Sequence, residues 1–267
     1  MEAAAADSNL PDLVIVTGAG RGMGRAIASE IGRRGAAVLC ISRTESCLQT
    51  AKAIVAAGGA ADAIPLDLSD YVKVGEAVAQ WIGGRAYKRI GAVLAAGTLG
   101  PSGPLWETAL EEWDAALRVN LLGNLAVARA SMATMRANRF GRLLFFAGGG
   151  AAYANPTFPA YAIAKTALVR AVENLHEDLK DAGDFAVAIL APGAVDTEML
   201  ARVRAKGGEV RTTVPIEEPV AFACAFLSAR ECGFSGCFVH VRDEWRPLLE
   251  HARKLPKKDL WKLRRVE

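Results

Sequence analysis

The sequence predicts an α/β fold in which a doubly wound parallel sheet of about seven strands carries helices on both faces. Short apolar runs alternate with segments of helical periodicity along the whole chain, which is the pattern of strands joined by crossover helices. The apolar runs are continuous rather than alternating, as expected for strands that are buried on both faces. A glycine-rich turn joins the first run to the first helical segment. Together these observations favour a single α/β domain, and no internal repeat divides it.

The individual elements follow from this alternation. The predicted strands span residues 13–16, 37–41, 60–66, 92–95, 142–147, 185–190 and 237–241. The predicted helices span residues 21–34, 44–57, 69–82, 109–138, 159–182 and 217–229. Crossover helices make neighbouring strands parallel, so ligands are expected at the carboxyl ends of the strands. We predict one domain over residues 12–245, between a disordered tail at 1–11 and a basic tail at 246–267.

The composition is that of a soluble globular protein, because 52% of the 267 residues are hydrophobic and 23% are charged. No apolar run approaches the roughly 18 residues of a membrane span. Residues 1–7 lack the basic segment and the apolar core of a signal peptide. The five cysteines form no C-x-x-C pair, so we expect buried, reduced thiols rather than zinc ligands or disulfides. These features predict a cytoplasmic protein without a metal site.

The net charge of +3 is unevenly placed. Residues 253–267 hold seven Lys and Arg against two acidic residues, so the rest of the chain is slightly acidic. A basic tail can contact nucleic acid or an anionic membrane, but a solvated tail or one that contacts another subunit is commoner. Because the body of the chain is not basic, we predict neither a nucleic-acid partner nor a membrane partner.

The strongest motif is Thr-Gly-Ala-Gly-Arg-Gly-Met-Gly at residues 17–24. It joins the first predicted strand to the first predicted helix. Free backbone N–H groups and the positive end of the helix dipole bind phosphate at such a helix start, and the glycines let a pyrophosphate approach the backbone. We therefore predict a Rossmann-type dinucleotide site. Its loop residues are Gly18, Arg21, Gly22, Met23 and Gly24.

Tyr161 and Lys165 form a second motif, on the helix after the fifth predicted strand. Residues four apart share one helix face, so both side chains project toward the same cleft. The phenol of an unperturbed tyrosine has a pKa of about 10, which is too high for acid–base catalysis at neutral pH. A neighbouring ammonium favours the phenolate and lowers that pKa. The pair predicts proton transfer, and a packed helix tyrosine is the structural alternative.

With these two motifs in this order, the chain resembles the short-chain dehydrogenases/reductases over about residues 12–245. The resemblance implies that Tyr161 passes a proton to or from the substrate oxygen, and that Lys165 also hydrogen-bonds the nicotinamide ribose. Asn120 matches the asparagine that holds a proton-relaying water, and a plain solvated or interhelical asparagine is the alternative. The family also implies a homodimer or a homotetramer built through two long helices.

The resemblance assigns further residues to the cofactor. Asp67 and Leu68 match the pair that the family sets against adenine. Segment 191–197 matches the nicotinamide loop, in which Val195 offers backbone groups and Thr197 a hydroxyl, although an ordinary turn is the alternative. The other implied cofactor residues are Ala96, Gly97, Pro192 and Gly193. Segment 199–215 matches the substrate lid, and its basic residues are Arg202, Arg204, Lys206 and Arg211.

Cofactor choice is predicted from the charge at the end of the second strand. NAD-specific enzymes place an acid there, which binds the ribose 2′-hydroxyl and repels a 2′-phosphate. Here Ser42 takes that position, Arg43 follows it, and Arg21 lies in the glycine loop. Because guanidinium groups match phosphate oxygens, we predict NADP(H) rather than NAD(H).

One position departs from the family pattern. Active members usually carry a serine thirteen residues before the tyrosine, and here that residue is Gly148. Loss of such a hydrogen-bond donor commonly raises the activation free energy by about 2.7–4 kcal/mol. Another donor can substitute, and the candidates on nearby loops are Tyr153, Asn155, Thr98 and Ser102. Alternatively the substrate needs no donor, the glycine admits a bulky substrate, or the cofactor is bound without turnover.

We therefore predict an NADP(H)-dependent oxidoreductase that interconverts a carbonyl and a secondary alcohol on a small molecule. The predicted catalytic residues are Tyr161, Lys165 and Asn120, and Gly148, Tyr153 and Asn155 are predicted to line the substrate site. Segments 96–107 and 243–266 are similar to a family branch associated with sugar or secondary-metabolite pathways. A non-catalytic NADP(H)-binding protein is the alternative.

Overall fold

The computed structural model describes residues 9–208, 210, 212–250, 255 and 260–263. Its strands are β1 (Leu13–Thr17), β2 (Ala37–Ser42), β3 (Ala61–Pro65), β4 (Ile90–Leu94), β5 (Phe140–Phe146), β6 (Asp184–Ala191), β7 (Ala194–Val195), β8 (Thr213–Val214) and β9 (Phe238–His240). Seven strands form one sheet in the order β3-β2-β1-β4-β5-β6-β9, and every neighbouring pair is parallel. β7 and β8 form a separate parallel pair. The predicted seven-stranded parallel sheet is confirmed.

Helices cover both faces of the sheet, as predicted. The α-helices of the described residues are α1 (Gly22–Arg33), α2 (Ser46–Ala56), α3 (Tyr71–Gly83), α4 (Leu110–Leu117), α5 (Asn124–Ala137), α6 (Pro159–Leu179), α7 (Glu198–Ala205), α8 (Glu217–Ser228) and α9 (Arg246–Glu250). Val14 packs in an apolar cluster with α1 and α8, whereas Leu13 packs in a second cluster with α3, α5 and α6. Successive residues of β1 thus face opposite sides, and all five are buried. This double burial explains the continuous apolar runs.

The strand order reverses beside β1. The chain runs from β1 outward through β2 and β3 on one side, and from β4 outward through β5 and β6 on the other. The connections that leave β1 and β4 therefore diverge, and a crevice opens between their carboxyl ends. We call the rim formed by these strand ends the carboxyl edge.

The single long helix predicted over residues 109–138 is wrong. A π-helical segment, Arg118–Gly123, separates α4 from α5. Side-chain amides within and just after this segment bond to the backbone: Asn120 Nδ2 donates to Ala116 O at 2.8 Å, and Asn124 Nδ2, at the start of α5, donates to Asn120 O at 3.1 Å. Such bonds compete with the regular backbone ladder. Segments of this kind frequently mark functional sites, and this one brings Asn120 to the carboxyl edge.

The other predicted elements differ from the structure by at most three residues at either end. β4 and β5 begin two residues earlier than predicted, because Gly91 and Gly141 join the sheet although glycine is depleted in strands. Sequence analysis missed β7, β8, α7 and α9. Two-residue strands and helices of five to eight residues are too short to show a clear periodicity.

Packing extends beyond the predicted range of 12–245. Leu10 is buried in the core, and the guanidinium of Arg89 donates to its carbonyl oxygen at 3.1 Å. At the other end, Phe238 N donates to Trp261 O at 2.7 Å, and the Trp261 ring packs edge-on against Phe234. Of the seven Lys and Arg at residues 253–267, Lys262 is described. The others, Arg253, Lys254, Lys257, Lys258, Arg264 and Arg265, lie outside the described residues.

Within the described parts of the chain, no helix has both the length and the apolar character needed to cross a membrane. Nor do the histidine, cysteine and acidic side chains of those parts form a cluster that could hold a metal ion. Cys40, Cys47, Cys224 and Cys237 are buried, and burial raises the pKa of Cys40 to about 12.

Candidate active site

The glycine loop between β1 and α1 is tightly folded. Gly18 has a φ of 70° and Gly22 a φ of 52°, in the left-handed region that favours glycine. A β-carbon on Gly18 would lie 3.0 Å from Ala96 Cα, and one on Gly24 would overlap the Gly18 carbonyl oxygen. Side chains are therefore excluded at Gly18 and Gly24. The first turn of α1, in which Met23 is half-buried, presents its backbone N–H groups to a ligand.

Three hydroxyl groups between the end of β2 and the start of α2 lie in contact with one another. Ser42 Oγ donates to Thr44 O at 2.8 Å and lies 3.3 Å from Ser46 Oγ, which is 2.8 Å from Thr44 Oγ1. We call Ser42, Thr44 and Ser46 the hydroxyl cluster. A β-carbon on Gly20 would overlap Ser46 Oγ, so the glycine loop lies directly against this cluster. Arg43 is exposed beside it.

Asp67 and Leu68 follow β3, as predicted. Asp67 Oδ1 accepts a hydrogen bond from Ser69 N at 2.9 Å, which stabilises the turn that leads into α3. Leu68 is buried, and its carbonyl oxygen lies where a β-carbon on Gly123 would be. The π-helical segment thus packs directly on this turn.

A buried hydrogen-bond chain that sequence analysis missed holds the residues after β4. Thr17 Oγ1 donates to Asn124 Oδ1 at 2.8 Å and accepts from Ala96 N at 3.0 Å. Asn124 Nδ2 donates to Ala96 O at 3.0 Å. Both side chains are fully buried. The signal was an asparagine within a predicted helix, where its low propensity calls for a compensating partner.

Asn120 is fully buried, so the alternative of a solvated asparagine is wrong. Its Oδ1 accepts from Thr98 N at 3.0 Å, and its Nδ2 donates to Thr98 O at 2.8 Å. A β-carbon on Gly97 would lie 2.9 Å from Asn120 Oδ1 and 3.7 Å from Lys165 Nζ. Gly97 therefore marks the point where Asn120 and Lys165 converge.

Tyr161 and Lys165 lie on α6 beside the end of β5. Lys165 Nζ donates to Phe146 O at 2.8 Å and lies 5.6 Å from the centroid of the Tyr161 ring. Burial raises the pKa of Tyr161 to about 12 and lowers the pKa of Lys165 to about 8. The direction expected for Tyr161 from its ammonium neighbour is not observed, because loss of solvation disfavours both charged forms.

Gly148 lies against the Tyr161 phenol. A β-carbon on Gly148 would be 2.7 Å from Tyr161 Oη and 3.3 Å from Tyr161 Cε1. The Gly148 backbone is extended, with φ −170° and ψ 174°, a conformation that any residue adopts. Space, rather than backbone conformation, is what glycine provides at this position.

The predicted substrate residues lie on the loop after β5. Tyr153 is 80% exposed and is accessible to a ligand. Asn155 Oδ1 accepts a hydrogen bond from Phe158 N at 3.1 Å, which ties the loop to the start of α6. Thr98 and Ser102, on the loop after β4, are half-buried.

The segment after β6 turns back toward the glycine loop. Pro192 is buried, Gly193 has a φ of 73°, and Val195 pairs with Val214 in the small sheet. Thr197 Oγ1 donates to Val195 O at 3.2 Å and caps α7. Its Cγ2 lies 3.3 Å from the position of a β-carbon on Gly22.

Helix α7 occupies part of the predicted lid. Glu198, in its first turn, forms an ion pair with Arg21 of the glycine loop, a contact that sequence analysis missed. Arg202 and Arg204 lie in its last turn, and Arg211 lies outside the described residues.

The carboxyl edge brings the predicted cofactor residues together around one crevice. An open helix N-terminus, small residues beside it and no room for extra β-carbons fit an extended dinucleotide.

Comparisons with known proteins identify the relatives of this chain. The family model of short chain dehydrogenase matches residues 12–208. The chain is similar to the short-chain reductase protein NovJ of Streptomyces niveus, with 32% identity over 250 residues that cover 88% of this chain and 94% of that protein. It is also similar to the 1-deoxy-11-beta-hydroxypentalenate dehydrogenase of Streptomyces exfoliatus, with 30% identity over 263 residues, 92% of this chain and 93% of that one.

The fold is similar to that of a solved Beutenbergia cavernae protein, assigned as an NAD(P)-dependent gluconate 5-dehydrogenase, with NADP bound at low occupancy. The two share 29% identity and a TM-score of 0.79, over 87% of this chain and 96% of that one. The family match spans the glycine loop, the Tyr161–Lys165 pair and the segment after β6. A chain with this match, and with a relative of 32% identity along most of its length, belongs to the short-chain dehydrogenase family.

Proposed function

We propose that this protein is an NADP(H)-dependent oxidoreductase that interconverts a carbonyl and a secondary alcohol on a small substrate. The observation that carries the proposal is the convergence at the carboxyl edge of a buried lysine with an asparagine and a tyrosine. Lys165 Nζ lies near Gly97 and Asn120 on one side and 5.6 Å from the Tyr161 ring centroid on the other. Perturbed titratable groups that meet at the ligand crevice of such a fold favour catalysis.

The chain's own residues divide the work of binding. A bound nicotinamide dinucleotide supplies or accepts the hydride. The backbone of Gly18, Gly22 and Gly24 would hold its pyrophosphate at the start of α1. The turn from Pro192 to Thr197 would hold the nicotinamide end.

Tyr161 is the proposed acid and base. Its raised pKa of about 12 keeps the hydroxyl protonated at neutral pH, so Tyr161 can donate that proton to a substrate carbonyl oxygen. Lys165, with a pKa of about 8, then offers a cation to the phenolate and can return a proton to it. Asn120, bonded to both backbone groups of Thr98, keeps this segment in position beside Lys165. We propose that the proton relay to solvent passes through this side of the site.

NADP(H) is the proposed form of the cofactor. The hydroxyl cluster offers donors in the place where NAD-specific enzymes set an acid, and the exposed Arg43 adds a guanidinium there. The substrate is proposed to be sugar-like or a secondary metabolite, since the relatives named above include a protein assigned as a gluconate 5-dehydrogenase and a 1-deoxy-11-beta-hydroxypentalenate dehydrogenase. As the setting we propose the cytoplasm, with a homodimer or homotetramer.

Gly148 favours a second candidate, a protein that binds NADP(H) without turning it over. A serine hydroxyl at this position is the usual donor to the substrate oxygen in the family, and this chain has none there. Removing one preorganised donor costs roughly 10²–10³ in rate.

For the first candidate, the oxidoreductase, we propose that Tyr153, exposed on the same loop, replaces the serine as the hydrogen-bond donor.

The test is NADPH oxidation over a panel of keto-sugars and cyclic ketones, with the wild type beside Tyr161→Phe. We expect turnover in the wild type and a loss of about 10²–10⁴-fold in the variant, with NADPH binding retained. Tyr87→Phe is the matched control, because Tyr87 stacks on Trp81 away from the crevice. Tight NADPH binding without turnover would favour the second candidate. Absence of NADPH binding would exclude both candidates.

A further inference from the structure

Arg21 has a partner outside the proposed cofactor site. Its guanidinium pairs with the Glu198 carboxylate at the start of α7, and Glu198 also pairs with Arg202 at 2.8 Å. The side chains of Arg21 and Glu198 are 63% and 50% exposed. Exposed ion pairs are weak and exchange partners readily, so Glu198 can be displaced from Arg21 by a stronger anion.

The backbone of the glycine loop places Arg21 between the hydroxyl cluster and the start of α7. Gly20, which precedes it, lies against the hydroxyl cluster at the end of β2. Gly22, which follows it, lies against Thr197, the residue before Glu198. A guanidinium at this point can turn toward the hydroxyl cluster or toward α7.

We propose that Glu198 is a cofactor-selectivity residue that acts through Arg21. The inference rests on the proposed nicotinamide site. Glu198 competes with a ribose 2′-phosphate at the hydroxyl cluster for the same guanidinium. While the carboxylate holds the guanidinium, a phosphorylated cofactor loses this partner, so the competition weakens binding of the phosphorylated cofactor alone. A cofactor without the 2′-phosphate has no anion at the hydroxyl cluster that would pair with Arg21, so its affinity does not depend on Glu198.

The experiment measures binding rather than turnover. Dissociation constants for NADPH, NADH, 2′,5′-ADP and 5′-AMP are determined by calorimetry on the wild type and on Glu198→Gln. We expect Glu198→Gln to bind NADPH and 2′,5′-ADP more tightly by up to about fivefold, the upper end for an exposed charge pair, and to bind NADH and 5′-AMP with unchanged affinity. The gain should shrink at high salt, because the charges are exposed.

Three further variants identify the cause. In an Arg21→Gln background, Glu198→Gln should give no gain, because the shared partner is absent. Arg202→Gln should give no gain by itself, since it leaves the Arg21–Glu198 pair in place. Glu177→Gln, on α6, is the matched control, because it removes an exposed carboxylate whose partner is Lys180, the residue that follows this helix. Its cofactor affinities should equal those of the wild type.

An equal shift for phosphorylated and unphosphorylated ligands in Glu198→Gln would mean that Glu198 only supports α7, and would overturn the proposal. So would a gain that persists without Arg21. The two proposals fail separately. If the wild type prefers NADPH and Glu198→Gln changes nothing, the inference falls and the proposed cofactor stands. If the wild type shows no preference and Glu198→Gln creates one, the cofactor proposal falls and the inference stands.

Discussion

The hydroxyl oxygen of Tyr161 lies 2.7 Å from the point that a β-carbon on Gly148 would occupy. Real β-carbons do not approach an oxygen that closely, so a side chain at position 148 and the phenol in its present place exclude each other. The two residues are thirteen positions apart, on the loop after β5 and on α6. A change at position 148 is therefore a change in the position of the proposed acid.

Substitution of Gly148 separates the loss of space from the gain of a donor. We expect Gly148→Ala to displace the phenol and to lower carbonyl reductase activity by about tenfold or more, because misplacement of a reacting group by about 1 Å can cost 10²-fold. Gly148→Ser displaces it equally but adds a hydroxyl that can bind the substrate oxygen. Its kcat should exceed that of Gly148→Ala by at least about tenfold. Equal rates for the two variants would show that position 148 acts through space alone.

Arg43 is expected to recognise the 2′-phosphate. We expect Arg43→Ala to weaken NADPH binding about tenfold, the order of a charge-assisted hydrogen bond, and to leave NADH binding within about twofold. Lys52→Ala, an exposed cation farther along α2, is the control and should change neither. Fluorescence titration of both cofactors measures the effect. Equal weakening of NADPH and NADH would contradict it, as would equal affinities in the unmutated protein.

Asn124 is expected to be a stability residue with a role at the site. Asn124→Ala removes the buried bonds to Thr17 and Ala96, and we expect the free energy of unfolding to fall by about 2–4 kcal/mol. Asn138→Ala, which removes a single exposed bond at the end of α5, should cost about 0.5 kcal/mol or less. Urea unfolding compares them. A loss for Asn124→Ala as small as that of the control would mean that the buried chain is dispensable.

Because Lys165 is buried, we predict that the stability of the fold depends on pH. Burial lowers its pKa from 10.5 to about 8, so between these values the unfolded chain binds more protons at this residue than the folded one. The cost of burying the ammonium is thus fully present below about pH 8 and is lost as the pH rises toward 10.5. The free energy of unfolding of the wild type minus that of Lys165→Met should rise with pH, by up to about 3 kcal/mol.

Urea unfolding of both proteins at intervals between about pH 7.5 and pH 10 measures this difference. This range covers most of the interval between the pKa of Lys165 in the folded chain, about 8, and its ordinary value of 10.5. Taking the difference matters because burial raises the pKa of Cys40 and Cys232 to about 12, which lowers the stability of both proteins as the pH rises above about 9. A difference that stays constant across the range would indicate that Lys165 titrates near its ordinary pKa.

Much of the fold could be predicted because local sequence patterns indicate its elements. The buried strands appear as continuous apolar runs, and the glycine loop indicates where the first crossover begins. The prediction failed where local pattern and tertiary contact disagree. Residues 109–138 have helical periodicity throughout, yet the bonds of Asn120 and Asn124 impose a π-helical segment within them. Helix α7 went unpredicted because it is short and highly charged.

The sequence by itself determined the class of fold, the family resemblance and the candidate residues, since spacing along a strand or a helix is a local property of the chain. Only the tertiary structure decided which of these residues meet. It set Glu198 on Arg21, Thr197 against Gly22, and the Tyr161 hydroxyl in the space beside Gly148. It also reversed the expected shift in the pKa of Tyr161. The physical reason is that such contacts and the loss of solvation depend on how the sheet and helices pack, which no local spacing encodes.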